Sequence, residues 1–94
     1  MNVTGFIWLE DIVEKLWRKH RVERREVAEV FGGAPHFRFV EKRHRADENV
    51  YATLGQTDGG RYLIVFFVHR RDGRAVILSA RDMTDSERRR YGRR

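Results

Sequence analysis

The stretch "RYLIVFFV", Arg61 to Val68, is apolar at odd and even positions alike. A strand with one wet face alternates polar and apolar residues, so a strand apolar on both faces must be covered on both and belongs in the middle of a sheet. It is bounded by turn signals, "TDGG" before it and "RRDGR" with Asp72-Gly73 after it, and both favour hairpins. Working outward, "AVILSA", Ala75 to Ala80, is the partner on one side. On the other, "VYATLG" sets Val50, Ala52 and Leu54 against Tyr51 and Thr53, and "HFRFV" sets Phe37 and Phe39 against His36 and Arg38. The period is two throughout, which predicts an antiparallel meander of four strands, with "EKRHRADEN" as a charged loop between the first two. The same alternation places Arg81 on the face of Ala75, Ile77 and Ser79, one residue beyond the last strand.

Helical spacing flanks the meander. In "EDIVEKLWRKH", Ile12, Val13, Leu16 and Trp17 form one stripe, with Asp11 near the start and Arg18, Lys19 and His20 at the end, the charge order that a helix dipole favours. "ERREVAEVF" puts Val27, Val30 and Phe31 on one face, and "GGAP" stops that helix near Phe31. "FIW", Phe6 to Trp8, is too short to be more than an edge strand or the lead into the first helix. At the other end, Thr84 to Glu87 reads T-x-x-E, the pattern in which the threonine oxygen and the glutamate carboxylate each bond the other's backbone amide. A short final helix therefore starts at about Asp85. The expected fold class is α+β: two N-terminal helices on one face of a four-stranded antiparallel sheet and a short C-terminal helix, in a single domain over residues 1–94. The other face, with the ends of the last two strands, is expected to carry an arginine cluster.

A chain of 94 residues buries roughly two-thirds of its unfolded surface, which leaves a thin stability margin. It has no cysteine, and no apolar run approaches the roughly 20 residues that span a bilayer. "MNVTGFIWLED" has neither the charged start nor the long apolar centre of a signal peptide, so a cytoplasmic protein without membrane contact is expected. The net charge is +6, and its placement is uneven: ten basic and ten acidic residues run through Gly60, and ten arginines with four acids follow from Arg61 onward. Arginine's planar fork matches phosphate through two parallel hydrogen bonds, so the basic third fits a polyanion or a solvated basic surface.

Several chemistries find no support. The histidines show no metal-binding spacing, no glycine-rich phosphate loop opens a helix, and neither Ser79 nor Ser86 sits on a nucleophile elbow. RNA supplies its own nucleophile, the 2′-hydroxyl, so its cleavage needs only a base, an acid and cations. His20 reads as a helix C-cap or a proton carrier, and Glu87 as a capping acid or a catalytic one. His69 and Arg70 end the central strand, "KRHR" from Lys42 to Arg45 is a loop able to clamp RNA, and Tyr91 either stacks a base or closes the core.

"FIW", Lys19-His20, "EVAEVF", "YATLGQTDGGRYLIVFF", Arg70 and "SARDMTDSERRRY" together resemble the BrnT family, ribonuclease toxins of bacterial type II toxin-antitoxin pairs, over Phe6 to Tyr91. The resemblance implies a RelE-like fold, metal-independent RNA cleavage without a cofactor, and neutralisation by a small ribbon-helix-helix antitoxin, BrnA, through which alone DNA is contacted. By position it implies catalytic roles for Arg70, Arg81, Glu87 and His20. Arg61, Arg74, Arg88, Lys19 and Tyr91 are the candidate RNA contacts. This chain has Leu16 where the family commonly has asparagine, and Arg21 where it has glycine. A non-catalytic RNA-binding or regulatory protein on the same fold is the alternative, and an interaction protein whose arginines meet an acidic chain is a third.

Overall fold

The computed structural model describes residues 1–93. Its central strand runs from Tyr62 to His69 and is numbered β4; Leu63, Ile64, Val65 and Phe67 in it are fully buried. Each such side chain contributes roughly 1.5–3 kcal/mol relative to exposure. β4 pairs antiparallel with β3 (Val50–Gln56) on one side and β5 (Arg74–Asp82) on the other, and β2 (His36–Glu41) extends the sheet beyond β3.

The fifth strand corrects the expected four-stranded antiparallel sheet. β1 (Gly5–Ile7) lies parallel to β5, pairing Gly5 with Arg74, Phe6 with Ala75 and Ile7 with Val76, so the sheet is mixed, in the order β1-β5-β4-β3-β2. Three residues are too few to show a period; β1 is a strand because the outer edge of β5 supplies the partner groups its backbone needs. The two helices α1 (Glu10–His20) and α2 (Arg24–Gly32) consequently follow a strand.

α1 and α2 bury Leu16, Val27 and Val30, with Val22 between them, against Leu63, Val65, Phe67, Ala75, Ile77 and Ala80. Phe31 meets Phe6 and Phe67 edge-on, each at 5.1 Å between centroids. The opposite face is covered at one end by α3 (Asp85–Gly92): Tyr91 and Met83 pack on Ala52, Leu54 and Ile64, flanked by Tyr62 and Phe66. No helix among the described residues is long and apolar enough to cross a membrane.

A bulge in β5 decides where Arg81 points. Phe66 pairs with Ser79 but Phe67 pairs with Ile77, leaving Leu78 as the extra residue. A bulge shifts side-chain parity. Ala75 and Ile77 therefore face the two helices, as does Ala80, while Ser79 and Arg81 stand opposite Phe66 and Ile64 on the α3 face. The uninterrupted alternation expected for "AVILSA" and Arg81 fails at this residue.

Arg61 is the second correction. Its Nη2 donates to the His20 carbonyl (2.6 Å) and its Nη1 to the Arg21 carbonyl (2.7 Å). Nε and Nη2 grip both Asp82 oxygens at 2.8 and 3.1 Å, and Nη1 also reaches Glu26 at 3.4 Å. All five of its N–H donors are thus engaged, so it is a structural clamp rather than a free RNA contact. The clamp sits where α1 ends: Arg21 takes the left-handed conformation, φ 53°, and its N–H and that of Val22 close on the Trp17 and Leu16 carbonyls. That conformation costs a non-glycine residue roughly 1–2 kcal/mol, offset in part by the Arg21 guanidinium 5.1 Å over Trp17.

Arg61→Lys keeps the charge but loses the fork that holds two carbonyls and a carboxylate at once. It should lower unfolding free energy by about 1–3 kcal/mol in urea denaturation; an unchanged midpoint would show that the clamp stabilises nothing.

Candidate nucleic-acid interface

The strand order gives the sheet two unlike ends. At one lie the start of β4, the end of β5, the C-terminus of α1 and all of α3; at the other lie the β4–β5 hairpin and the loop from β2 to β3. The predicted residues divide between them. His20, Lys19, Arg61, Arg81, Glu87, Arg88 and Tyr91 share the first end, and Arg70 and Arg74 belong to the second. Arg81 pairs with Ile64, six residues along β4 from Arg70. At about 3.3 Å per residue their Cα atoms lie about 20 Å apart, so the two arginines stand at opposite ends of β4.

At the first end Arg81 and Glu87 form a two-pronged ion pair, Nη1 to Oε1 at 2.8 Å and Nη2 to Oε2 at 3.1 Å. The Arg81 Nη1 also donates to the Asp82 carbonyl at 3.1 Å. Glu87 receives the Thr84 amide at 2.9 Å, while its own amide donates to the Thr84 hydroxyl oxygen at 3.2 Å, completing the capping box read from the sequence. Hydrogen bonding from Arg81, against the opposing effect of burial, pulls the Glu87 carboxyl down to about 2 and raises Arg81 in turn. Only the outer end of the Arg81 guanidinium and one inner N–H are spent this way. The Nε–H and the adjacent Nη2–H, a second two-donor edge, carry no partner among the described residues.

At the same end of the sheet an open cleft of about 720 Å³, which neither Arg81 nor Glu87 lines, is bounded by Tyr62, Arg88, Arg89, Asp85, Gln56 and Thr57, among others. The Arg88 guanidinium lies 4.2 Å from the Tyr62 ring centroid, a stacked cation and aromatic of the sort that receives a nucleobase. Tyr62 was not anticipated, because its pairing with Arg88 joins residues far apart in the chain. Tyr91 is buried, donates its hydroxyl to the Ala34 carbonyl at 3.1 Å and stands edge-on to Tyr62; it closes the core beneath α3 rather than offering a face to a base. His20 lies behind the same end, its carbonyl held by Arg61 and its charge lowering the Asp82 carboxyl after the larger effect of the Arg61 hydrogen bond. Lys19 is exposed in the last turn of α1.

At the second end, Arg74 is held by Asp72 through Nη2 at 2.7 Å and Nε at 2.8 Å, whereas Arg70 is exposed and acts on Asp72 only through a weaker charge effect. In the adjoining loop, buried Asp47 faces Arg45 at 3.3 Å and Arg71 at 3.9 Å. No three His, Asp or Glu side chains converge as metal ligands among the described residues.

No curated protein matches this chain. The family described as the ribonuclease toxin, BrnT, of type II toxin-antitoxin systems matches it over residues 8–87, a span that begins just after β1 and holds both early helices, the other four strands and Glu87. The chain with the arginine-bearing sheet end and the tyrosine-floored cleft belongs to the BrnT family of ribonuclease toxins.

Proposed function

We propose that the protein is an endoribonuclease that needs no metal ion and cleaves RNA through the substrate's own 2′-hydroxyl, with Arg81 as the cation at the scissile phosphate. The observation that carries this reading is the divided guanidinium: one edge anchored by Glu87, the other two-donor edge unpartnered. An anchored fork loses little entropy on binding two phosphate oxygens, and preorganised charge of this kind lowers the barrier as the pentavalent phosphate forms. The 2′-oxygen attacks phosphorus, the bond to the 5′-oxygen breaks, and a 2′,3′-cyclic phosphate results.

Glu87, held at about 2, is too weak a base for a proton at neutral pH; its part is to hold Arg81 in place. His20, at the same end of the sheet on the side of Asp82, is the proton carrier in this scheme, taking the 2′-hydroxyl proton and returning it to the departing 5′-oxygen. Lys19 and Arg88 add positive charge, and Tyr62 with Arg88 receives a base. The partner is a small ribbon-helix-helix antitoxin of the BrnA kind, whose acidic segment covers the cleft in the cytoplasm; DNA is contacted only through it. The pair Arg81–Glu87 also docks α3 on β5, which favours, as a second reading, an RNA-binding protein on the same fold without catalysis.

Arg81→Lys separates the two readings. Cleavage of a single-stranded RNA in the presence of chelator should fall by about 100-fold or more while RNA affinity stays near wild type; a rate near wild type would reduce Arg81 to a helix anchor.

Glu87 has its own signature in the pH dependence of stability. Its carboxyl falls from an ordinary 4.5 to about 2 on folding, so its contribution is complete above pH 4.5 and is lost as pH drops from 4.5 towards 2. The stability difference between wild type and Glu87→Gln should therefore be on the order of 2–3 kcal/mol near neutrality and shrink through that window, as followed by urea unfolding at pH 6 and pH 3. A difference independent of pH would contradict the ion pair.

A further inference from the structure

α3 covers only one end of its face of the sheet. Beyond it, Phe66 and Val68 of β4, Val76 and Ser79 of β5 and Arg38 of β2 remain half-exposed, while Val50 and Ala52 of β3 on the same face are buried. Their register puts them on this same face: Arg38 pairs with Ala52 and Ser79 with Phe66, both of which belong to the α3 side. Arg70 extends the series. Its amide donates to the Arg74 carbonyl at 2.9 Å, so the ladder continues one step past His69, and alternation from Ile64, Phe66 and Val68 brings Arg70 to the α3 face. Arg81 stands on that face at the far end, its guanidinium 5.7 Å from the Phe66 ring. The two arginines, about 20 Å apart along the strands, therefore lie on one face of the sheet, with the Phe66 ring between them and Arg38 two strands to the side on β2.

We propose that the half-exposed strip of this face is a track for single-stranded RNA, running from Arg81 across Phe66 to Arg70 with Arg38 at its edge, where the backbone is held several nucleotides from the cut. The proposal rests on the ribonuclease reading and gives Arg70 a role as a remote phosphate contact. An aromatic floor with flanking cations is the usual means of holding a strand without reading its sequence. The span of about 20 Å corresponds to roughly three to six nucleotides, at ~3.4 Å each when stacked and about twice that when extended. Neither Arg38 nor Arg70 makes a side-chain hydrogen bond or close ion pair among the described residues, the charge of Arg70 acting on Asp72 only as a minor influence, so phosphate need not displace a close ion pair. The opposite face offers no such path, because α1 and α2 cover it.

The test compares two lengths of an oligonucleotide made uncleavable by 2′-fluoro sugars throughout, a tetramer and a dodecamer, binding to the full chain. Arg38→Gln with Arg70→Gln should weaken dodecamer affinity by about 10-fold and lower the slope of log affinity against log salt by about 1.4, at ~0.7 per lost single-strand contact. Tetramer affinity should hold, and Arg24→Gln, on the exposed surface of α2, should change neither. Equal losses at both lengths would place Arg70 at the cut itself, and no loss at either would remove the track; both outcomes overturn the proposal. Binding is read without cleavage, so a protein that shows the length dependence yet leaves the all-ribose oligonucleotide intact refutes the ribonuclease reading and not the track.

Discussion

The Arg61 clamp is the constraint on which the working end of the molecule depends. One guanidinium joins the last carbonyls of α1, the carboxylate of Asp82 at the end of β5 and Glu26 of α2. A left-handed arginine closes α1 at this point, and the orphan carbonyls there would otherwise need water. Because Asp82 is fixed on the helix side, its neighbour Arg81 must emerge on the other. Clamp and candidate catalytic arginine are thus consecutive consequences of one strand end, and the first arginine spends all its donors so that the second can keep two.

The bulge at Leu78 completes this division. Without it Arg81 would share the face of Ala75 and Ile77 and run into the packing of α1 and α2. With it, the side chain meets Glu87 across the start of α3, and the capping box that begins the helix also holds the carboxylate. A single glutamate therefore ends up bonded to a backbone amide and to an arginine, which explains its strong acidity. The same arrangement makes it a poor proton acceptor, so the proposed scheme divides the holding of charge from the transfer of a proton.

What the sequence made legible follows from the range of the physics involved. "RYLIVFFV" is apolar on both sides because it is central, and the T-x-x-E cap acts within four residues, so both could be read locally. β1 could not, since three residues become a strand only through β5. The bulge left no mark, because "AVILSAR" alternates plausibly straight through Leu78. Arg61 reads as one of many arginines until the ends of α1 and β5 are brought to it, and Tyr62 reads as core until Arg88 is laid over it. The family resemblance supplied the arginine, glutamate and histidine positions, but not the distance of about 20 Å between Arg70 and Arg81, which only the register shows.

The central claim is that RNA is cut at the Arg81 end of the sheet. Its most direct test is photo-crosslinking of an uncleavable single-stranded RNA carrying 4-thiouridine at the scissile position, with the attachment site read by mass spectrometry. Attachment to peptides holding Tyr62 or the segment from Arg81 to Arg89 is the predicted result. Attachment confined to the hairpin from His69 to Arg74, about 20 Å away along β4, would contradict the account.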